Sequence, residues 1–487
     1  MKGIYYIAFA LVLTMNACSE FLVVEPDSQV SIVEQFSSKA GVYQAVNGMY
    51  YEFESLYTGK HIIYADLLGG NITFSPNEFD KILEVPTARG IDQIYEFRDL
   101  ADDSDMQSVY KSAYALINAC NLIIENVKGS AVLEANEIQQ IKAEALACRA
   151  YTHYIVASLY AQNYTYTPGG SHHGIIYNTR TITAGVDFPA RISLAESYTL
   201  MKEDLKLALS TFTEQQALDY GDPKSYFSPM TSASFFARIA LQMNDWEGAY
   251  HYADTVIRYS GLKLMKDTMY LNEWVDSTAS LSETIFELST PKSSDGKPSA
   301  SVAHDFYKYN NAQSYNDFVA SGDLLDLYLA NDIRREMFIE VLLPTSINGI
   351  LTDRVYHFTQ KFQAEKAMPA TRLSEMFLIR AEAAARKDVP DLSLALISLN
   401  AIRHRAGLDP LTSYDNLLEE IFMERRRELA FENFLFFDLA RYQKDVVRDK
   451  GCLSPVCNMS YPSDYYVLPI PENTVLLNEF MEQNHGY

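Results

Sequence analysis

The sequence predicts a mostly α-helical protein, a scaffold of tetratricopeptide-like helical hairpins carrying a loop-rich insertion with short strands. Three observations lead there. Several long stretches keep a helical period, with small residues at close-packing positions. Two pairs of shorter helical stretches are each joined by a brief polar turn, the layout of a helix–turn–helix repeat that needs neighbours to bury its inner face. Between Gly261 and Thr371 the helical period gives way to alternating, Pro/Ser/Gly-rich and polar aromatic stretches.

In chain order, Lys2 and the apolar run from Ile4 to Met15 describe a signal peptide over residues 1–17, too short to span a bilayer, which takes about 20 apolar residues. The Met15-Asn16-Ala17-Cys18 end places a cysteine at the expected cut. That marks a bacterial lipoprotein, lipidated at Cys18, with a plain signal peptide as the alternative. Residues 18–260 form the N-terminal helical region. Its helices are expected over Tyr110 to Val127, Glu137 to Tyr160, Ser193 to Phe212, Thr231 to Met243 and Trp246 to Ile257. Ser193 and Glu196 have capping-box spacing, in which each side chain satisfies a first-turn amide. Ala237, Ala240 and Ala249 suit close helix packing.

Residues 261–487 form the C-terminal region: loop-rich over 261–371, helical over 372–445, and a loop segment over 446–487. Short strands are expected at Glu283 to Leu288 and Arg354 to Phe362, with a Pro/Ser/Gly loop over Pro291 to Ser301. Arg372 to Arg386 and Leu392 to Arg405 make the second hairpin, with Ala381, Ala385 and Ala395 at packing positions.

Composition excludes several functions. A net charge of −23 opposes phosphate-backbone binding, so nucleic acid is not an expected partner. No nucleophile elbow, zinc-protease helix, phosphate loop or dinucleotide glycine pattern occurs, and no catalytic residue, cofactor or metal is expected. The adjacent His172-His173 do not form a metal site, because neighbouring side chains point apart. Cys120 and Cys148 sit in apolar helical patterns and read as inert buried thiols. Cys452 and Cys457 flank a four-residue loop that could close as a disulfide or stay reduced.

The densest charged run is Glu424-Arg425-Arg426-Arg427-Glu428-Leu429-Ala430-Phe431-Glu432. On a continuous helix Glu424, Glu428 and Glu432 share one face with Arg427 beside them. A glycosidase pair must straddle a bond at ~5–9 Å, which adjacent carboxylates on one helix face do not do. A structural Arg–Glu network is expected instead, with Arg380, Glu382, Arg403 and Arg405 as partners.

Five segments resemble one family. Cys18 is followed by Ser19-Glu20-Phe21-Leu22-Val23-Val24-Glu25-Pro26, Leu373 to Ala385 reads LSEMFLIRAEAAA, and Leu399 to Leu408 reads LNAIRHRAGL. Glu424 to Arg441, and the pair Leu468 to Pro471 with Gln483 to Tyr487, complete the set. Together they are similar to the SusD/RagB outer-membrane lipoproteins of Bacteroidetes. Asn433, Leu435 and His485 depart from that pattern at packing positions.

The resemblance implies a SusD-like α-α superhelix displayed on the cell exterior and held by its lipid in the outer membrane. It also implies a SusC-like TonB-dependent porin as partner, and capture of a glycan, or in some members a peptide, without chemistry. Sugar-binding residues are not fixed in the family. Candidates therefore come from residue type, aromatic faces for sugar faces and amides or carboxylates for hydroxyls. One loop, Ile63 to Asn77, offers Tyr64, Asp66, Asn71 and Phe74. A second, Tyr307 to Asp317, offers Tyr307, Tyr309, Asn311, Gln313, Tyr315 and Asn316. A protein-only assembly lipoprotein is the competing reading, with these aromatic loops as its interface.

Overall fold

The computed structural model describes residues 31–487 apart from 88–89, 184, 214–217, 219–220, 277–279, 289–301 and 363–366. The expected signal peptide, Cys18, the Ser19–Pro26 segment and the Pro291–Ser301 loop lie outside the described residues.

The main helices are α1 (Lys39–Thr58), α2 (His61–Gly69), α3 (Gln107–Val127), α4 (Ala135–Tyr160), α5 (Leu194–Thr211), α6 (Pro229–Gln242) and α7 (Trp246–Tyr259). After the insertion come α8 (Leu373–Arg386), α9 (Leu392–Arg405), α10 (Leu417–Glu428) and α11 (Leu435–Arg441). From α3 to α9 each helix packs on the next in chain order. That order includes α7 on α8, although more than a hundred residues separate them. α4 is the central pillar, buried along nearly its whole length and flanked by α1, α3, α5 and α6.

Its buried polar groups are paired: Arg149 donates to both carboxylate oxygens of Asp204 at 2.8 and 2.6 Å, and the Tyr50 hydroxyl donates to Glu144 at 2.8 Å. Pairing of this kind is what makes a buried charge tolerable.

Local chemistry starts and stops these helices where the residues dictate. Ser193 Oγ accepts from the Glu196 amide at 3.2 Å and caps α5. Ser228 caps α6, with Pro229 in its first turn. Between α6 and α7, Asn244 turns the chain in a left-handed conformation and Asp245 Oδ1 accepts from Gly248 N at 3.0 Å. Asp391 caps α9 in the same way, at 2.9 Å from Leu394 N. Ala237, Ala240, Ala249, Ala253, Ala381 and Ala395 are fully buried, so the helix backbones approach closely. Ala385, the remaining predicted packing alanine, is only partly buried at the edge of this contact.

The strands form five two-stranded sheets among the described residues. β1 (Ile72–Phe74) pairs with β5 (Phe318–Ala320), and β2 (Thr284–Leu288) with β8 (Met368–Arg372). β3 (Tyr309–Asn311) pairs with β4 (Ser314–Tyr315), and β6 (Phe338–Ile347) with β7 (Ile350–Thr359). β9 (Val446–Val447) pairs with β10 (Asn458–Met459). The β2–β8 pair joins the two ends of the insertion, packs on α6, and is tied there by Arg238, which donates to Ala370 O at 2.7 Å. Cys452 and Cys457 are disulfide-bonded, while Cys120 and Cys148 are buried free thiols.

Candidate functional site

The two predicted loops meet. Antiparallel pairing of β1 with β5 aligns Phe74 with Phe318, and Ser75 continues the contact by donating to Asp317 O at 2.8 Å. The residues chosen from the first loop are not at the surface, however. His61 to Gly69 is apolar all round and forms the buried helix α2, closed by Gly70 at φ 93°. Tyr64, Asp66, Asn71 and Phe74 are each at most 1% exposed. Tyr64 packs on Phe436 and Phe437. Asp66 accepts from Asn71 Nδ2 and from the Asn433 amide, both at 2.6 Å. These polar groups satisfy each other inside the core rather than facing solvent.

The second loop divides. Tyr307 is fully buried, ringed by Phe318, Phe362 and Phe431. Tyr315 is also buried, edge-on to Phe358. Both are correspondingly corrected from ligand candidates to supports. The rest of the hairpin is accessible: Tyr309 and Asn316 are half-buried, and Asn310, Asn311 and Gln313 are exposed. Tyr309 lies against Phe358 at 4.8 Å between ring centres, which holds the strand in place. Gln313 N donates to Asn311 Oδ1 at 2.8 Å and Asn310 Nδ2 to Ser314 Oγ at 3.1 Å, shaping the tip.

A neighbour that residue type did not single out completes the surface. Asn77 to Ile82 is a turn closed by Asn77 N to Ile82 O at 2.8 Å, with Lys81 in a left-handed conformation. It is fastened to β6 by Ser346 N to Lys81 O at 2.7 Å. Phe79 at its tip is 85% exposed. Glu78 Oε2 accepts from Tyr315 N at 3.3 Å, and the Lys81 ammonium lies 5.4 Å from the centre of the Tyr315 ring. Burial and then Glu78 push the Tyr315 phenol up to about 12, so it stays protonated. The signal that could have found this turn is Asn77-Glu78-Phe79-Asp80-Lys81, a lone aromatic among charges just past the first loop.

The charged run serves a different purpose. α10 ends at Glu428, so Glu432 lies beyond the helix rather than on its face. Glu428 meets three guanidiniums, Arg405 at 2.5 Å, Arg372 at 2.6 Å and Arg334 at 3.0 Å. Glu424 pairs with Arg334 and Arg427, each at 2.7 Å, with Arg403 at 3.9 Å. Glu432 takes Lys361 at 2.6 Å and Arg372 at 2.7 Å. Arg380 and Glu382 turn elsewhere: Arg380 reaches Asp254 at 2.9 Å, and Glu382 binds Arg441 and Arg386. Burial would raise the Glu428 carboxyl, but the arginines outweigh it and hold it well below the usual range. A general acid needs the opposite shift.

Among the described residues no group of three or more His, Cys, Asp or Glu is placed to hold a metal ion. No described helix is long and apolar enough to cross a membrane.

Fold and site together define a helical-hairpin scaffold that presents a polar aromatic surface on its insertion. The family model described as "SusD family" matches residues 339–487, and the one described as "Starch-binding associating with outer membrane" matches residues 20–241. The chain belongs to the SusD/RagB family. It is 24% identical to SusD-like protein P2 of Formosa agariphila, covering 99% of each chain. A SusD superfamily protein from Bacteroides thetaiotaomicron superposes with a TM-score of 0.78 at 23% identity, over 92% of this chain and 99% of that one. A structure from Bacteroides vulgatus described as a SusD-like carbohydrate binding protein gives 0.74 at 20% identity, over 91% and 97%.

Proposed function

We propose that this is a non-catalytic surface lipoprotein that captures a glycan and passes it to a SusC-like TonB-dependent porin. Family membership supports binding rather than catalysis and an outer-membrane setting. The observation that carries the glycan reading is the surface made by the exposed Phe79 ring, half-buried Tyr309 and the amides of Asn310, Asn311 and Gln313. Aromatic carbon faces and amides fixed on rigid strands match the alternating apolar and hydroxyl surfaces of a pyranose chain. The outer face of the β6–β7 hairpin exposes Leu342, Leu351 and Val355, apolar surface of the kind a protein partner covers, which supports docking on the porin. Lipidation at Cys18 supplies the tether.

Affinity gels with a panel of neutral and acidic polysaccharides test the reading. One or more should retard the protein, and Phe79→Ala and Tyr309→Ala should each weaken that retardation at least about fivefold, roughly 1 kcal/mol of binding free energy. Unchanged retardation in both variants removes this surface from the binding site. Binding of the porin with no polysaccharide retained would favour the protein-only assembly reading.

A further inference from the structure

A cavity lies away from that hairpin, between the first turns of α3, the stretch from Ile176 to Ile182 with Pro189, and the C-terminal stretch near Pro471. Its volume is about 690 Å³, within the ~300–1,000 Å³ range of small-molecule sites. The floor is aromatic and aliphatic. Tyr110 and Tyr114 sit 4.7 Å apart between ring centres, with Ile176 beside them. Tyr114 is anchored by donating to Ile176 O at 3.0 Å. The Tyr110 side chain is 6% exposed, and its ring packs on Tyr114 and, edge-on, on Tyr160.

The rim is polar and carries one sign of charge. Asn178 and Asn473 supply amides, and the exposed Lys111 is the charged side chain lining the cavity, in a chain of net charge −23. The cavity edged by Tyr50 and Tyr226 shows the contrast, since it is lined by Glu54, Asp222 and Glu287.

We propose that this cavity is a second carbohydrate site, selective for an acidic sugar whose carboxylate meets Lys111. Its ring lies against the tyrosine floor. The proposal rests on the glycan-capture reading but concerns a different surface. A polymer long enough to reach both sites would be held at two points, whereas a short oligomer engages the cavity alone.

The test is isothermal titration of the purified protein with oligogalacturonate, oligoalginate and glucuronate-containing oligomers, against neutral cello-oligosaccharide of matched length. At least one acidic oligomer should bind. Lys111→Ala should weaken it at least about tenfold, with the unfolding midpoint kept, because a charge-assisted hydrogen bond carries this discrimination. Raising salt should weaken wild type more than Lys111→Ala. Phe79→Ala with Tyr309→Ala should leave this binding in place. Absence of binding by every acidic oligomer, or equal affinity in Lys111→Ala and wild type, overturns the proposal. Acidic binding lost only in the Phe79 and Tyr309 variants also overturns it, while leaving the hairpin reading standing. Acidic binding lost in Lys111→Ala and kept in the Phe79 and Tyr309 variants supports the cavity, and the hairpin reading is decided separately by the affinity gels.

Discussion

Glu428→Gln should be among the most damaging single-atom changes available in this molecule. The carboxylate is fully buried and held by Arg405, Arg372 and Arg334 within 3.0 Å. Removing one partner of a buried pair costs about 3–5 kcal/mol, because the opposite charge stays in a low dielectric. Here the three arginines keep other carboxylates: Arg334 keeps Asp332 and Glu424, Arg372 keeps Glu283 and Glu432, and Arg405 keeps Glu283 at 3.7 Å. Glutamine also retains the volume and one acceptor. The lower end, about 3 kcal/mol, is the expected cost.

Trp274 supplies a local probe. It is buried against Lys361 and Arg372 at 5.1 and 5.9 Å, and Trp246 is the chain's other tryptophan. In a Trp246→Phe background, urea unfolding followed by Trp274 fluorescence should show the midpoint fall with the slope retained. The exposed Glu419–Lys444 pair at 2.8 Å is the control, and Glu419→Gln should cost at most about 1 kcal/mol. If Glu428→Gln cost no more than the control, the network would not be holding the insertion to the scaffold.

Other outcomes follow from the same geometry. Serine at both Cys452 and Cys457 should cost about 2 kcal/mol, the loop-closure value for so short a ring, and hydrogen exchange should place the loss locally between β9 and β10. Burial pushes Asp66 up to about 6 and His61 down to about 4, and both contact Asn433. As pH falls from 7 to 5 the unfolded chain protonates His61 first, which loses stability, while the folded chain protonates Asp66 first, which gains it. His61→Gln removes the loss, so urea unfolding should show this variant gaining about 2 kcal/mol relative to wild type over that fall; parallel profiles would refute the pairing. Ala253→Leu overfills the buried face of α7 and should cost about 1–3 kcal/mol, seen as a lowered thermal midpoint.

The helices were readable because their chemistry is local. The stretch from Glu137 to Tyr160, the alanines of both hairpins and the Asn244-Asp245 turn each carry a period or a cap that does not depend on distant residues. The site was less readable because exposure is a tertiary property. Tyr64 and Asp66 look like a binding loop in sequence, yet Phe436, Phe437 and Asn433, almost four hundred residues later, close over them. Tyr307 and Tyr309 alternate on one hairpin, and only packing decides which becomes core. Glu432 shares a helical spacing with Glu428, but the helix ends between them, and no local signal in the charged run announces that. Phe79 went unnoticed for the converse reason: a single aromatic among charges has no pattern, and its exposure follows from the fastening of the 77–82 turn to β6.

The contact of α7 with α8 and the pairing of β2 with β8 have an evolutionary corollary. The stack closes directly across the break in the chain, and the strands clasp the segment's two ends, Thr284 opposite Arg372. Loops between these ends can change length at little thermodynamic penalty, since lengthening a clasped loop adds only a slowly growing entropy, provided Arg334 and Lys361 remain to meet the buried carboxylates of Glu424, Glu428 and Glu432. Grafting the 289–367 segment of a distant relative onto this stack should therefore yield a folded chimera with the donor's ligand preference. Inheritance of the hairpin's share of recognition would then be modular, with the 77–82 turn supplied by the host.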